Sequence, residues 1–203
     1  MKQGPDTLFS LPQRQIEAIV VGASAGWLQA LSVLLVGLVE TFRLPIVVVV
    51  HMPEDKDSKL AEIFRLRLEI DVKEADEKEP LHPGTLYFAP PGYHLLIEQD
   101  KTLSLSREER VHFSRPSIDV LFESAADVFG EHLCGVLLTG ANEDGAAGLR
   151  AIHRAGGLTV VQDPAEAFVP TMPEAALKLF TPDFILPVRD INTLLVELEQ
   201  NNA

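Results

Sequence analysis

Three nearly uninterrupted apolar runs constrain this chain most: IEAIVVG at 16–22, LPIVVVVHM at 44–52 and HLCGVLLTG at 132–140. Each is far short of the roughly 20 residues that span a membrane. A run that is apolar at successive rather than alternate positions suits a strand covered on both faces. Each run also ends in a block of small or reactive residues: GASAG around Ser24, HMP at His51, and LTGANEDGAAG around Asp144. In an open α/β sheet, ligands and reacting groups collect at strand C-terminal ends. The runs therefore bring a serine, an imidazole and a carboxylate to one edge. A serine hydroxyl is a weak nucleophile until a base takes its proton, and a carboxylate can orient that base. The leading reading is a serine hydrolase.

The rest of the chain fits the same architecture. Helical patterns are expected at about 25–40 and at 57–69, the latter with Leu60, Ile63, Phe64 and Leu68 inward. DVKEA, GTLYFAPP, HLLIEQD and TLSLSRE read as short strands between turn residues, adding a parallel crossover strand and an antiparallel hairpin. From residue 116 strands and helices alternate again, with Gly130 and Gly156 closing two of the helices. The predicted fold class is α/β: a doubly wound, mostly parallel sheet of about seven strands, with helices on both faces and a small antiparallel hairpin. With 203 residues, one domain is expected over 15–200, after an N-terminal tail at 1–14 that lacks the marks of a signal peptide.

The chain is 46% hydrophobic and 23% charged, so it can bury a full core. Its net charge of −13 argues against nucleic-acid binding, which draws on clustered Lys and Arg. Direct insertion into a membrane is not expected. Cys134, the single cysteine, lies in an apolar run and reads as an inert core thiol, compatible with a reducing cytoplasm. The histidines other than His51 have no metal-ligand spacing, so neither a metal nor a cofactor is expected.

GASAG matches G-x-S-x-G, and its place between a strand and a helix would expose the Ser24 hydroxyl beside oriented N–H groups. The plain alternative is a serine that caps the following helix. His51 could equally be a structural residue at the end of a buried strand. Next to the strand that leads to Ser24, about 4.8 Å away, it becomes a candidate base. Asp144 could cap its own helix or orient His51. The glycine-rich loop around it lacks the endings of nucleotide-binding loops. The order Ser, His, Asp also differs from the Ser, acid, His order of the ordinary α/β-hydrolase fold.

Taken together, the blocks resemble the catalytic domain of the chemotaxis receptor protein-glutamate methylesterase family, the CheB type. The resemblance runs from about Ile16 to Glu199. It includes HMP at 51–53, LYFAPPGYHLL at 86–96, FSRPSIDVLFESAA at 113–126, GVLLTGANEDGAAGL at 135–149, VVQDP at 160–164 and MPEAAL at 172–177. It implies hydrolysis of glutamate methyl esters on chemotaxis receptors in the cytoplasm, with release of methanol, and deamidation of receptor glutamines as a second activity. It implies Ser24 as nucleophile, His51 as base, Asp144 as orienting acid, and main-chain oxyanion donors near Ala25 and Ala141. The implied partner is the cytoplasmic domain of a methylated receptor, with the receptor methyltransferase or a separate receiver domain as further candidates. The fifteen or so residues before the domain are too few for the family's usual phospho-receiver.

The serine loop departs from the family pattern, in which Thr and two glycines usually follow the serine; here Ala25, Gly26 and Trp27 do. That departure supports a competing reading, a catalytically weak or inactive module that has kept the fold and docks signalling partners. A small-ester hydrolase outside chemotaxis is the third, since function lives in the site and not the fold.

Overall fold

The structure, a computed structural model, describes Phe9, residues 15–52 and residues 59–202. The chain runs β1 (Ala18–Ala23), α1 (Trp27–Leu34), β2 (Ile46–Val50), α2 (Leu60–Arg65), β3 (Asp71–Glu74), β4 (Thr85–Phe88), β5 (His94–Ile97), β6 (Leu103–Ser106), α3 (Ile118–Phe129), β7 (Leu133–Leu137), α4 (Ala146–Arg154), β8 (Leu158–Gln162), α5 (Thr171–Leu179), β9 (Phe184–Leu186) and α6 (Val188–Asn202). Seven strands form one sheet in the order β3-β4-β2-β1-β7-β8-β9, every neighbouring pair parallel. β5 and β6 form a separate antiparallel hairpin.

The apolar runs become the central strands because burial on both faces demands them. All residues of β1, β2 and β7 are buried. Alternate residues serve two cores. On one face Ile19, Val21, Val48 and Val136 pack with α1, α2 and α6. On the other, Val20, Val47, Val49 and Leu137 pack with α3, α4, α5 and the hairpin. Cys134 is fully buried in β7.

The expected architecture holds, with three local differences. The first helix stops at Leu34 instead of 40. Gly37 takes a left-handed φ of 76°, and Leu35, Leu38 and Phe42 reach the core from turns rather than from a helix face. The middle stretch supplies two parallel strands to the main sheet, β3 and β4, where one crossover strand is expected. The second helix covers only Leu60–Arg65; residues 57 and 58 of the expected helix lie outside the described residues. Leu60 and Phe64 point inward as expected, with Ile63 and Leu68 partly buried against the same core. Of the expected tail, Phe9 alone is described. It is docked: its ring meets Phe184 edge-on at 5.7 Å, and its N–H donates to Glu197 Oε2 at 3.3 Å.

Candidate active site

Parallel register sets the layout. Gly22 and Ala23 pair with Val49 and Val50, and the His51 N–H donates to the Ala23 carbonyl at 3.2 Å. Ser24 and His51 are thus the next residues along two neighbouring strands. On the other side of β1, the Ser24 N–H donates to the Thr139 carbonyl at 2.9 Å, which carries the β1–β7 pairing beyond the strand ends. Ser24 is half-buried and lies before α1. It is not that helix's cap: Gly26 is, with φ 86° and no side-chain cap bond. A Cβ at Gly26 would lie 2.7 Å from Phe168 Cβ, so both the turn and the close approach call for glycine.

His51 and Asp144, 93 residues apart, form one hydrogen bond of 2.7 Å between Nε2 and Oδ2. The histidine side chain is 11% exposed and the aspartate 0%. A carboxylate oxygen can only accept, so Nε2 carries the shared proton, and in a neutral ring Nδ1 is the nitrogen with a lone pair. The familiar triad uses the ring the other way round, with the acid on Nδ1. Among the described residues no hydrogen bond joins Ser24 Oγ to His51. Such bonds are often long before substrate arrives.

Asp144 does not cap α4 either; Gly145 does. Its carboxylate instead sits at the N-terminus of α3. Oδ1 accepts from Ser117 Oγ at 2.8 Å and from the Asp119 N–H at 3.0 Å, and Oδ2 accepts from the Ile118 N–H at 2.7 Å. Helix N-termini favour negative charge through these unpaired N–H groups. Burial alone would raise the Asp144 pKa. The bonds from His51 and the α3 backbone, with the attraction of His51, outweigh it and hold the group below its ordinary value.

Ala25 and Ala141 follow the ends of β1 and β7. Among the described residues neither main-chain N–H donates a hydrogen bond, so both are available to a ligand. Thr139 steadies this corner: its Oγ1 donates to the Ala25 carbonyl at 2.8 Å and accepts from the Val169 N–H at 2.9 Å. Gln162 Oε1 in turn accepts the Thr139 N–H at 2.8 Å. Beside His51 opens a cavity of about 300 Å³ walled by Met52, Arg110, Phe113, Ser114, Arg115 and Pro116.

Asp119 was not singled out by the sequence reading. It is 5% exposed, and its Oδ1 accepts the N–H groups of Gly145 at 2.9 Å and Gly148 at 2.6 Å. Burial first, then the charges of Asp144 and Glu123, push its pKa up to about 6 against the pull of the Gly148 N–H and of His112. His112 Nε2 lies 3.4 Å from Asp119 Oδ2. His112, Asp119 and Asp144 offer one ligand atom each, all within 4.8 Å of one another. Both Asp144 oxygens and Asp119 Oδ1 are already engaged by hydrogen-bond donors, so the grouping is a hydrogen-bonded network as it stands.

The fold is of the doubly wound α/β class, and the family match makes the chain an ester hydrolase of that class. The chain belongs to the CheB methylesterase family, whose model matches residues 19–195. A relative from Leptospira interrogans, provisionally named a protein-glutamate methylesterase/protein-glutamine glutaminase, is 50% identical over 186 residues, covering 92% of this chain and 96% of its own. A protein-glutamate methylesterase/protein-glutamine glutaminase from Anaeromyxobacter dehalogenans is 42% identical over 91% of this chain, which spans 54% of that protein. The crystal structure of the Thermotoga maritima CheB methylesterase catalytic domain superposes with a TM-score of 0.86 at 30% identity, over 91% of this chain and all of that one. Among the described residues no helix is long and apolar enough to cross a membrane.

Proposed function

We propose that this chain removes methyl groups from glutamate esters on the cytoplasmic domain of chemotaxis receptors, with Ser24, His51 and Asp144 as its catalytic triad. The observation that carries the reading is the His51–Asp144 pair beside Ser24, with Asp144 held ionised by the α3 N-terminus. Ser24 Oγ attacks the ester carbonyl as His51 Nδ1 takes its proton. The N–H groups of Ala25 and Ala141 receive the developing oxyanion. His51 then gives the proton to the leaving methoxide, and methanol departs from an acyl-serine. Water attacks the acyl carbon as His51 takes one of its protons and passes it to the departing Ser24 Oγ, and the glutamic acid so formed releases the other to solvent. A glutamine side chain would follow the same path and release ammonia, which is why one site could also deamidate.

The docking-module reading draws on Trp27, yet the Trp27 ring packs against the core beneath α1 and is not part of the cavity wall beside His51. The test is methanol release from a methylated receptor cytoplasmic domain, run beside covalent labelling by a serine-directed phosphonate. Methanol release and labelling at Ser24 are expected, both abolished in Ser24→Ala. Labelling without methanol release would point to another ester; neither would end the hydrolase reading.

A further inference from the structure

We infer that His94 is a positioning residue that ties the wall of the cavity beside His51 to the carboxylate of Asp144; the inference rests on the triad reading above. His94 opens β5 and is 2% exposed. Both ring nitrogens are bonded to main chain. Nδ1 accepts the Ser117 N–H at 3.1 Å, and Nε2 donates to the Glu109 carbonyl at 2.9 Å. An amide can only donate there and a carbonyl can only accept, so one tautomer alone satisfies both.

The two partners belong to different parts of the site. Ser117 begins the cradle of Asp144: its hydroxyl and the next two N–H groups make three of the four hydrogen bonds to that carboxylate. A shift at the Ser117 backbone would move all three. Glu109 sits in the loop whose continuation supplies Arg110 and residues 113–116 to the cavity wall beside His51 and Met52. That loop turns through His112 and Phe113 at φ 47° and 62°, left-handed values that cost non-glycine residues energy. Phe113 is 96% exposed, so its own packing does not hold the turn. Within the loop, Arg115 Nη1 bonds the carbonyls of Arg107 and Glu108, which binds the loop to itself. The His94 bond at Glu109 ties it to the scaffold, as does the approach of His112 Nε2 to Asp119 Oδ2 at 3.4 Å, and of these two contacts only the His94 ring also meets the Ser117 N–H. β5 is anchored in turn: Leu95 and Ile97 lie in the core, and the Ile97 N–H donates to Ser124 Oγ of α3 at 3.1 Å.

A merely structural histidine and a positioning one differ in what each nitrogen controls, and two variants separate them. In His94→Asn the amide oxygen stands near the Nδ1 position and can keep the Ser117 bond, but the side chain falls short of Glu109. In His94→Gln the amide nitrogen can reach Glu109, and the acceptor for Ser117 is lost. The expected result is a split. His94→Asn should keep kcat and the rate of phosphonate labelling at Ser24 within about threefold, while KM for the methylated receptor domain rises about tenfold. His94→Gln should keep KM and lose about 10²-fold in kcat and labelling rate, the scale of a small misplacement of reacting groups. Labelling uses no receptor, so a failure of the receptor assignment leaves that arm readable.

Hydrogen exchange at the Ser117 amide, which needs no activity at all, should stay slow in His94→Asn and quicken in His94→Gln. Equal losses of kcat and KM in both variants, tracking their melting temperatures, would overturn the inference. So would unchanged exchange at Ser117. Should either variant fail to fold, the ¹⁵N spectrum of the wild-type protein decides: the inference requires a bare Nδ1 and a protonated Nε2 on His94, and the opposite pattern sinks it.

Discussion

Ser24 is half-buried, has no capping duty and neighbours a histidine whose Nε2, not Nδ1, is bonded to Asp144. Ser24→Ala should therefore lower methanol release by about 10⁴-fold while leaving the far-ultraviolet dichroism unchanged. Because the three groups serve one step, adding His51→Ala to Ser24→Ala should cost little more. Multiplicative losses would mean that His51 is not the base for this serine. The ring orientation makes a separate prediction: in ¹⁵N spectra of the resting enzyme, the His51 proton resides on Nε2. A proton on Nδ1 would place Asp144 on the wrong nitrogen. The gathering of these three residues at one sheet edge was legible in the sequence because each lies at or just beyond the end of an apolar run, and strand ends are where a parallel sheet gathers its chemistry. Ser117 and Asp119, by contrast, lie 27 and 25 residues from Asp144 along the chain. Nothing in a hydrophobic pattern says which loop a helix N-terminus will face, and His94 looks, in sequence, like any other residue of an apolar strand.

At the level of elements, α3 and α4 meet at the site. Gly148 allows the contact: a Cβ there would stand 2.6 Å from Phe122 Cβ and 3.0 Å from the Asp119 Cα. The α3 helix and its glycine stop were readable, since Gly130 closes SIDVLFESAADVFG. The end of α1 was not, because a leucine-rich run serves a helix face and a set of buried turns equally well. The α3–α4 contact also buries Asp119 with a pKa raised to about 6 from 3.8. A carboxyl raised on folding binds its proton more tightly in the native state. Its contribution to stability therefore falls as pH rises from about 4 to about 6 and then levels off. Asp119→Asn keeps an oxygen for the Gly145 and Gly148 N–H groups and removes the charge. Urea unfolding should find the variant more stable than wild type by about 1–3 kcal/mol at pH 7, with the difference gone near pH 4. An equal loss at both pH values would mean that the ionised carboxylate is a net stabiliser.

The whole molecule places its chemistry at a reversal of winding. From β1 the chain moves outward through β2 and β3, with α1 and α2 packed on one face; from β7 it moves the other way through β8 and β9, with α4 and α5 on the opposite face. The two central strands, β1 and β7, therefore send their loops to opposite sides and open a crevice between their C-terminal ends. Ser24, Ala25 and Ala141 border that crevice, and His51 ends the next strand. This geometry bears on Trp27, the largest departure from the family's serine loop. Trp27 starts α1 and so goes to the face that holds α6, where it packs partly buried against that face's core cluster. Packed there, Trp27 is not among the residues that wall the cavity beside His51. Trp27→Gly should accordingly open a cavity under the turn and add the helix cost of glycine, lowering stability by about 3 kcal/mol. Methanol release per folded molecule should not rise. A variant as stable as wild type, with faster turnover on the methylated receptor domain, would put the ring in the substrate's path and overturn its assignment to the core.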